Sequence, residues 1–275
     1  MVMARPLSRQ TAPTGSNSSG GPILRFWLWL PDWVFQAIGV LFFVGYLYGF
    51  GLIQKYAEWP RVGPSYSPVM FIDPMGKPLY GDPRYFPWSQ IVVDATFLLV
   101  ILAFVFRVPP RRRADRASQI VIPMLAAIWP LLPSFALALA RATRSSLQAD
   151  IVTALSPGAL SAERFWAAMM LMCIGNGLDV WGYSTLFRSL SIVAEARVLK
   201  QRGPYRWIRH PIYLGQFFAQ AGFYLLLVQL QAKWVIFYLI YVSMQLYRAR
   251  VEERVLIEVF GEEYERYRRK AWWLI

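Results

Sequence analysis

Charge is scarce in this sequence. Asp, Glu, Lys and Arg make up only 16% of its 275 residues, against about a quarter in soluble globular domains. It has one histidine, His210, and one cysteine, Cys173. A single thiol excludes an intrachain disulfide and any multi-cysteine metal site, and a sole imidazole excludes centres built on several histidines. No metal is therefore expected. A Walker-type loop, a GxGxxG after a strand and an HExxH are all missing, so a nucleotide-like cofactor would need a membrane-protein site. Cys173 lies in an apolar run and reads as a small buried hydrophobe.

Hydrophobic residues, by contrast, reach 56%, with 12 Trp and 15 Tyr and a mean hydropathy of +0.35. Aromatic residues in that number suit anchoring at membrane interfaces. Apolar runs at 33–53, 91–108, 120–140, 165–187, 211–230 and 234–247 approach or exceed the roughly 17–25 residues that cross a bilayer. The expectation is an all-α integral membrane protein with about six transmembrane helices. The last two are joined only by "VQLQAK", which predicts a helical hairpin. Beyond it, Val251, Val255, Leu256, Val259 and Phe260 recur among charges, the pattern of a cytoplasmic amphipathic helix that Gly261 ends or breaks.

The formal charge of +13 does not point to nucleic acid, because the basic residues sit between apolar runs, where topology and anionic headgroups account for them. "RRRADR" (111–116) follows the second run. Arg188, Arg197, Lys200, Arg202, Arg206 and Arg209 precede the fifth against one acid, Glu195. Two runs separate these clusters, so both are placed in the cytoplasm, with both chain termini. Residues 1–22 read as a disordered tail without a cleaved leader. Residues 23–160 hold the N-terminal helices, with a Pro/Gly-rich outside loop at 54–90, and 161–275 form a C-terminal membrane core.

Chemistry is suggested at three places. "GPYRWIRHPIYLGQ" (203–216) sets His210 at the cap of a helix starting at Pro211, with Arg206 and Arg209 close by, which resembles an anion site. Arg248 and Glu252 are four apart, with Glu253 adjoining. In "GNGLDVWGYS" (175–184), Asn176, Asp179 and Tyr183 share a face, while Gly175 and Gly177 permit close helix approach. An aspartate inside a span suggests function by default, whereas Asp94 is expected at an interface.

The first block, followed by "RARVEERVLIEVFGEEYERY" (248–267), resembles the isoprenylcysteine carboxyl methyltransferases and their relatives, the phospholipid N-methyltransferases. The likeness covers about residues 165–268. It implies an S-adenosylmethionine site at the cytoplasmic interface. Gly203, Tyr205, His210, Tyr213, Glu252 and Glu253 would bind the cofactor, and Arg248, Glu252 and Arg209 would be catalytic. It also implies a lipophilic methyl acceptor entering from the bilayer, first of all a carboxylate, with phospholipid, amine or thiol acceptors as alternatives. A sterol-type reductase using NADPH and a non-catalytic membrane protein remain open. The membrane would be the inner membrane of a prokaryote or otherwise the endoplasmic reticulum. Unlike many family members, the tail "RRKAWWLI" has no proline.

Overall fold

A computed structural model describes Phe26 and residues 29–49, 88–155, 161–228 and 230–272. The tail at 1–22 and almost all of the loop at 54–90 lie outside these residues. The described chain is all-helical and contains no strand, only two isolated bridges, Arg112 with Ala196 and Ile208 with Trp272. Its α-helices are α1 (Asp32–Gly49), α2 (Trp88–Phe106), α3 (Ala117–Ile128), α4 (Leu132–Ala142), α5 (Leu147–Leu155), α6 (Ala162–Leu186), α7 (Pro211–Ala221), α8 (Ala232–Phe260) and α9 (Glu262–Lys270).

Local chemistry sets several boundaries. Ser161 caps α6 by accepting from the Arg164 backbone N–H. Pro211, which has no N–H to waste, opens α7. Pro130 sits inside a 3₁₀ turn, Trp129–Leu131, between α3 and α4, and Pro133 falls in the first turn of α4. The fifth apolar run is helical only to Ala221 and then widens into a π-turn over Gly222–Leu227. The sixth run and the amphipathic segment are one unbroken helix, α8, since nothing between Tyr247 and Phe260 interrupts it; the break comes at Gly261, with φ +49°.

The expectation of six spans is met in part by these lengths. Among the described residues, Ala117–Ala140 is a helix long and apolar enough to cross a membrane, and Asp32–Tyr48 and Ile91–Phe106 are shorter apolar helices. Large hydrophobic side chains such as Leu41, Leu139, Trp166, Met170 and Ile236 stand exposed. Cys173 belongs to that outward face: it is exposed, contrary to its expected burial, with Met170 and Ile174 exposed nearby on the same helix.

The tightest packing joins α6 to α7. A Cβ on Gly175 would stand 2.4 Å from the Ala219 nitrogen and the Gly215 oxygen, and one on Gly215 would stand 2.6 Å from the Gly175 oxygen. The two backbones are in contact, an approach only small residues allow. Gly177, expected to share this role, has nothing within 4 Å of its Cβ position.

The two basic stretches meet at one end of the bundle. Arg111 N donates to Ala196 O (2.8 Å), Val108 N to Arg188 O (2.8 Å) and Ala194 N to Gln119 O (3.0 Å). At the other end, Arg164 donates to the carbonyls of Leu225 and Val228, and Trp234 donates to that of Ala154. The segment after α9 is also tied down as far as Trp272. Trp272 N donates to Trp207 O (2.7 Å) and Arg209 N to Trp272 O (3.0 Å), so Trp272 packs onto the 203–210 block.

Candidate functional site

The turn before α7 aims the first set of side chains. Gly203 adopts φ +58°, and a Cβ there would meet Thr185 Oγ1 at 2.5 Å, so only glycine fits. It starts a 3₁₀ turn that buries Tyr205, whose carbonyl accepts from the Tyr267 hydroxyl at 2.8 Å. His210 then precedes α7, and its ring stacks on that of Tyr213 one turn later, centroids 5.3 Å apart. Arg206 does not join them: it is exposed beside the Trp207 ring, because the turn points it away.

Helix α8 supplies the facing groups. Glu252 Oε1 accepts from the Tyr213 hydroxyl (2.5 Å) and from Arg248 Nε (2.9 Å). Glu253 Oε1 accepts from Arg209 Nη1 (2.7 Å) and lies 3.1 Å from His210 Nε2. The carboxylate answering Arg209 is therefore the protein's own, in place of an open anion site at the helix start. The Arg248 guanidinium lies 5.1 Å from the Tyr213 ring centroid, and its Nη2 reaches Ser191 O at 3.4 Å.

These contacts fix the charge states. Burial opposes the charge on Arg248, but the oxygens of Tyr213 and Glu252 hold its pKa above the ordinary value. Burial likewise opposes the charge on Glu253. His210, Arg209 and Arg268 outweigh it and keep that carboxyl below the usual range. Burial pushes the Tyr205 and Tyr264 hydroxyls up, so both are neutral groups near pH 7.

Tyr205, Arg209, His210, Tyr213, Arg248 and Glu252 line one end of a cavity of about 460 Å³. Gly203 and Glu253 stand behind that wall, the first shaping the turn and the second orienting Arg209 and His210. Deeper in, the lining passes through Asn176, Asp179, Tyr183, Gln216 and Gln245 to apolar walls such as Phe97, Leu137, Leu155 and Phe223. Asp94 also lines it and is buried within the protein, about a turn and a half from the start of α2 at Trp88.

Three contributors were not singled out in the sequence. Tyr264 and Tyr267 of α9 reach the cavity; their spacing in "EEYERY" was the available signal. Gln216, Tyr241 and Gln245 form a polar cluster inside the bundle. Tyr241 OH donates to Gln216 Oε1 (2.8 Å), Gln245 Nε2 donates to the same oxygen (2.6 Å), and Gln216 Nε2 donates to Tyr183 OH (3.1 Å). Glutamines within apolar runs were the clue. The third is the irregular stretch 189–200, whose residues Ser191, Glu195 and Arg197 line the cavity.

A cavity with Glu252, Arg209 and Arg248 at one end and apolar walls at the other suits a zwitterionic cofactor beside a lipophilic ligand. Comparison with known proteins points the same way. The phospholipid methyltransferase family matches residues 163–263. A Protein-S-isoprenylcysteine O-methyltransferase from Saccharomyces cerevisiae is 44% identical over 107 residues, which are 37% of this chain and 44% of that protein. The match thus spans less than half of the relative's length. The likeness to isoprenylcysteine and phospholipid methyltransferases, read above from two motifs, is borne out by both matches, and the family match falls in the C-terminal part of the chain, on α6 to α9.

Proposed function

We propose that the chain is an integral-membrane methyltransferase that uses S-adenosylmethionine to methylate the polar head of a lipophilic acceptor. One observation carries this reading: the two sequence blocks converge on Arg209, His210, Tyr213, Arg248 and Glu252, backed by Glu253, at one end of a cavity that continues between apolar helices. In this reading the six apolar segments are six passes, α7 and α8 form a hairpin, and the basic end faces the cytoplasm. Residues 161–275 are the catalytic core, and 23–160 complete its walls.

The residues present fit the cofactor. The Glu252 carboxylate, which lines the cavity, would receive an ammonium, and the Arg248 guanidinium beside it would face a carboxylate. The His210–Tyr213 stack offers a flat aromatic surface, with Arg209 held in place by Glu253. Bound there, S-adenosylmethionine supplies an electrophilic methyl carbon: the acceptor's lone pair forms the new bond to carbon while the carbon–sulfur bond breaks and sulfur leaves as a neutral thioether. The protein's task is alignment and exclusion of water. A carboxylate acceptor is already nucleophilic, so Arg248 need only position it, and no base is required. The name of the yeast relative supports such an O-methylated, isoprenylcysteine-like acceptor. The phospholipid methyltransferase match supports a second reading, an amine acceptor, which must be neutral to react and would use Glu252 or His210 as base.

Calorimetric titration of S-adenosylmethionine into detergent-purified protein tests the proposal, with NADPH as control. Saturable binding, lost in Glu252→Gln, is the expected result. Binding of NADPH instead would place the chain with the reductases.

A further inference from the structure

The cavity does not end in hydrocarbon. Far from the charged ring of Arg209, Tyr213, Arg248 and Glu252, its lining includes Tyr46, Asp94, Ser134 and Tyr224. These come from α1, α2, α4 and the π-turn. Ser134 hydrogen-bonds the Tyr46 hydroxyl, and Asp94 lies close enough for its charge to act on that hydroxyl. Tyr224 OH donates to Pro130 O at 3.2 Å. Asp94 is buried, and the walls nearby include Phe43, Phe97, Leu137 and Leu155. An acid inside an apolar helix is costly to keep and marks a functional site by default. A few fixed polar groups in an apolar pocket orient a ligand and select it.

The helices measure how far this end lies from the ring. On α1, Tyr46 comes fourteen residues after Asp32, and Asp94 comes thirteen residues before Arg107 at the end of α2. Asp32 and Arg107 pair with each other at the basic end of the bundle. On α8, Trp234 comes fourteen residues before Arg248 and stacks on Tyr224, ring centroids 5.3 Å apart. At about 1.5 Å of rise per residue, each of these intervals is roughly 20 Å. Three helices thus agree on two polar ends separated by about the reach of one extended lipid chain, with apolar walls between them.

We propose that Asp94, with Tyr46 and Ser134, binds a hydroxyl at the far end of the acceptor's tail. The acceptor is then a two-ended lipophile, with its methylated head at the ring and a terminal hydroxyl roughly 20 Å away. The carboxyl oxygens of Asp94 accept from such a hydroxyl, whose own oxygen can accept from a neighbouring one. An ammonium in that place would bring a second charge among apolar walls. The proposal rests on the methyltransferase reading above and concerns the tail, whichever head group is methylated. It gives the helices before residue 163, where the family match begins, a part in choosing the substrate. Asp94 is a specificity residue, too far from the ring to touch the transferred methyl.

The test compares N-acetyl-S-farnesylcysteine with its analogue hydroxylated on a terminal methyl of the farnesyl chain. The affinity of each probe, and methyl transfer to it from labelled S-adenosylmethionine, are measured on the full-length protein. The same is done for Asp94→Leu and for the near-isosteric Asp94→Asn, so that a folded variant is at hand. The wild type should prefer the hydroxylated probe at least about tenfold in affinity and in kcat/KM, the order of one hydrogen bond to a charged group. The preference should shrink to about twofold or less in Asp94→Leu and to about threefold in Asp94→Asn, with cofactor affinity unchanged. An analogue hydroxylated at the middle of the chain should gain nothing over the parent. Equal binding of the parent and the end-hydroxylated probe by the wild type overturns the proposal, and so does binding of neither by protein that binds the cofactor. A variant that keeps the full preference also overturns it, by making Asp94 structural. Failure to bind S-adenosylmethionine at all would instead sink the methyltransferase reading.

Discussion

The two parts of the chain contribute unlike things to one cavity. From α6 onward come the arginines, glutamates, tyrosines and the histidine of the ring. From α1 to α5 come Phe43, Leu47, Phe97, Val100, Leu137 and Leu155, with Asp94 the one charged wall residue among those described. The N-terminal part also acts at a distance. Asp32 pairs with Arg107 (2.8 Å) and with Arg197 (3.4 Å), and Arg197 pairs with Glu195 (2.8 Å) and donates to Val108 O. That network, with the backbone bonds of Arg111 and Gln119 to Ala196 and Ala194, holds the stretch that meets Arg248 through Ser191. In the proposed reaction one half would carry the chemistry, and the other would shape and roof the space in which it occurs.

The comparison breaks most sharply at Glu252. Glu252→Gln removes the charge that Arg248 and Tyr213 share and leaves the buried Arg248 guanidinium without its carboxylate. Cofactor affinity should fall about 100-fold or more by calorimetry. Arg248→Lys keeps the charge but loses the fixed fork. Turnover of labelled methyl should drop about 100-fold while cofactor affinity changes about threefold or less. Equal losses of affinity in the two variants would contradict the separate roles given to them.

Next comes the seam between α6 and α7. Gly175→Val forces a side chain onto the Gly215–Ala219 backbone, and overpacking of this kind costs about 1–3 kcal/mol. Unfolding in detergent should come several degrees lower, whereas Gly177→Val, with open space around it, should behave as wild type. In the N-terminal part, Asp32→Asn leaves Arg107 and Arg197 less well answered. It should weaken cofactor affinity only about three- to tenfold, through the roof, and leave the kcat/KM ratio between acceptors intact. A loss as large as that of Glu252→Gln would erase the division between the halves.

Much of this was legible in the sequence because it is local. Pro211 and Gly261 marked helix limits, and the i, i+4 spacing of Arg248 and Glu252 became a real contact. The two motif blocks marked the ring, since each lies within a few turns of chain. What escaped depends on which faces meet in space. Nothing local tells Gly175, pressed on Gly215, from Gly177, which faces open space. Nothing places Cys173 outward and Asp94 inward, since both sit in apolar helices. The Asp32–Arg197 pair spans 165 residues, so its partners become neighbours only once α1, α2 and the 188–202 stretch are assembled.

The smallest effect expected is at Glu253, which touches both motif blocks without lining the cavity. Burial works against its charge, yet the His210 hydrogen bond and the guanidiniums of Arg209 and Arg268 hold its carboxyl below the ordinary value of 4.5. A carboxyl depressed in the folded state adds stability that is complete above its unfolded pKa and is lost as pH falls through the folded one. Thermal stability in nonionic detergent should therefore begin to decline below about pH 4.5, as Glu253 takes up a proton and releases Arg209. Glu253→Gln should start lower at neutral pH and decline less steeply in acid, the two curves converging where the wild-type carboxyl is protonated. Parallel curves would mean that the depressed carboxyl lies elsewhere, and that Glu253 orients Arg209 and His210 without its charge being needed.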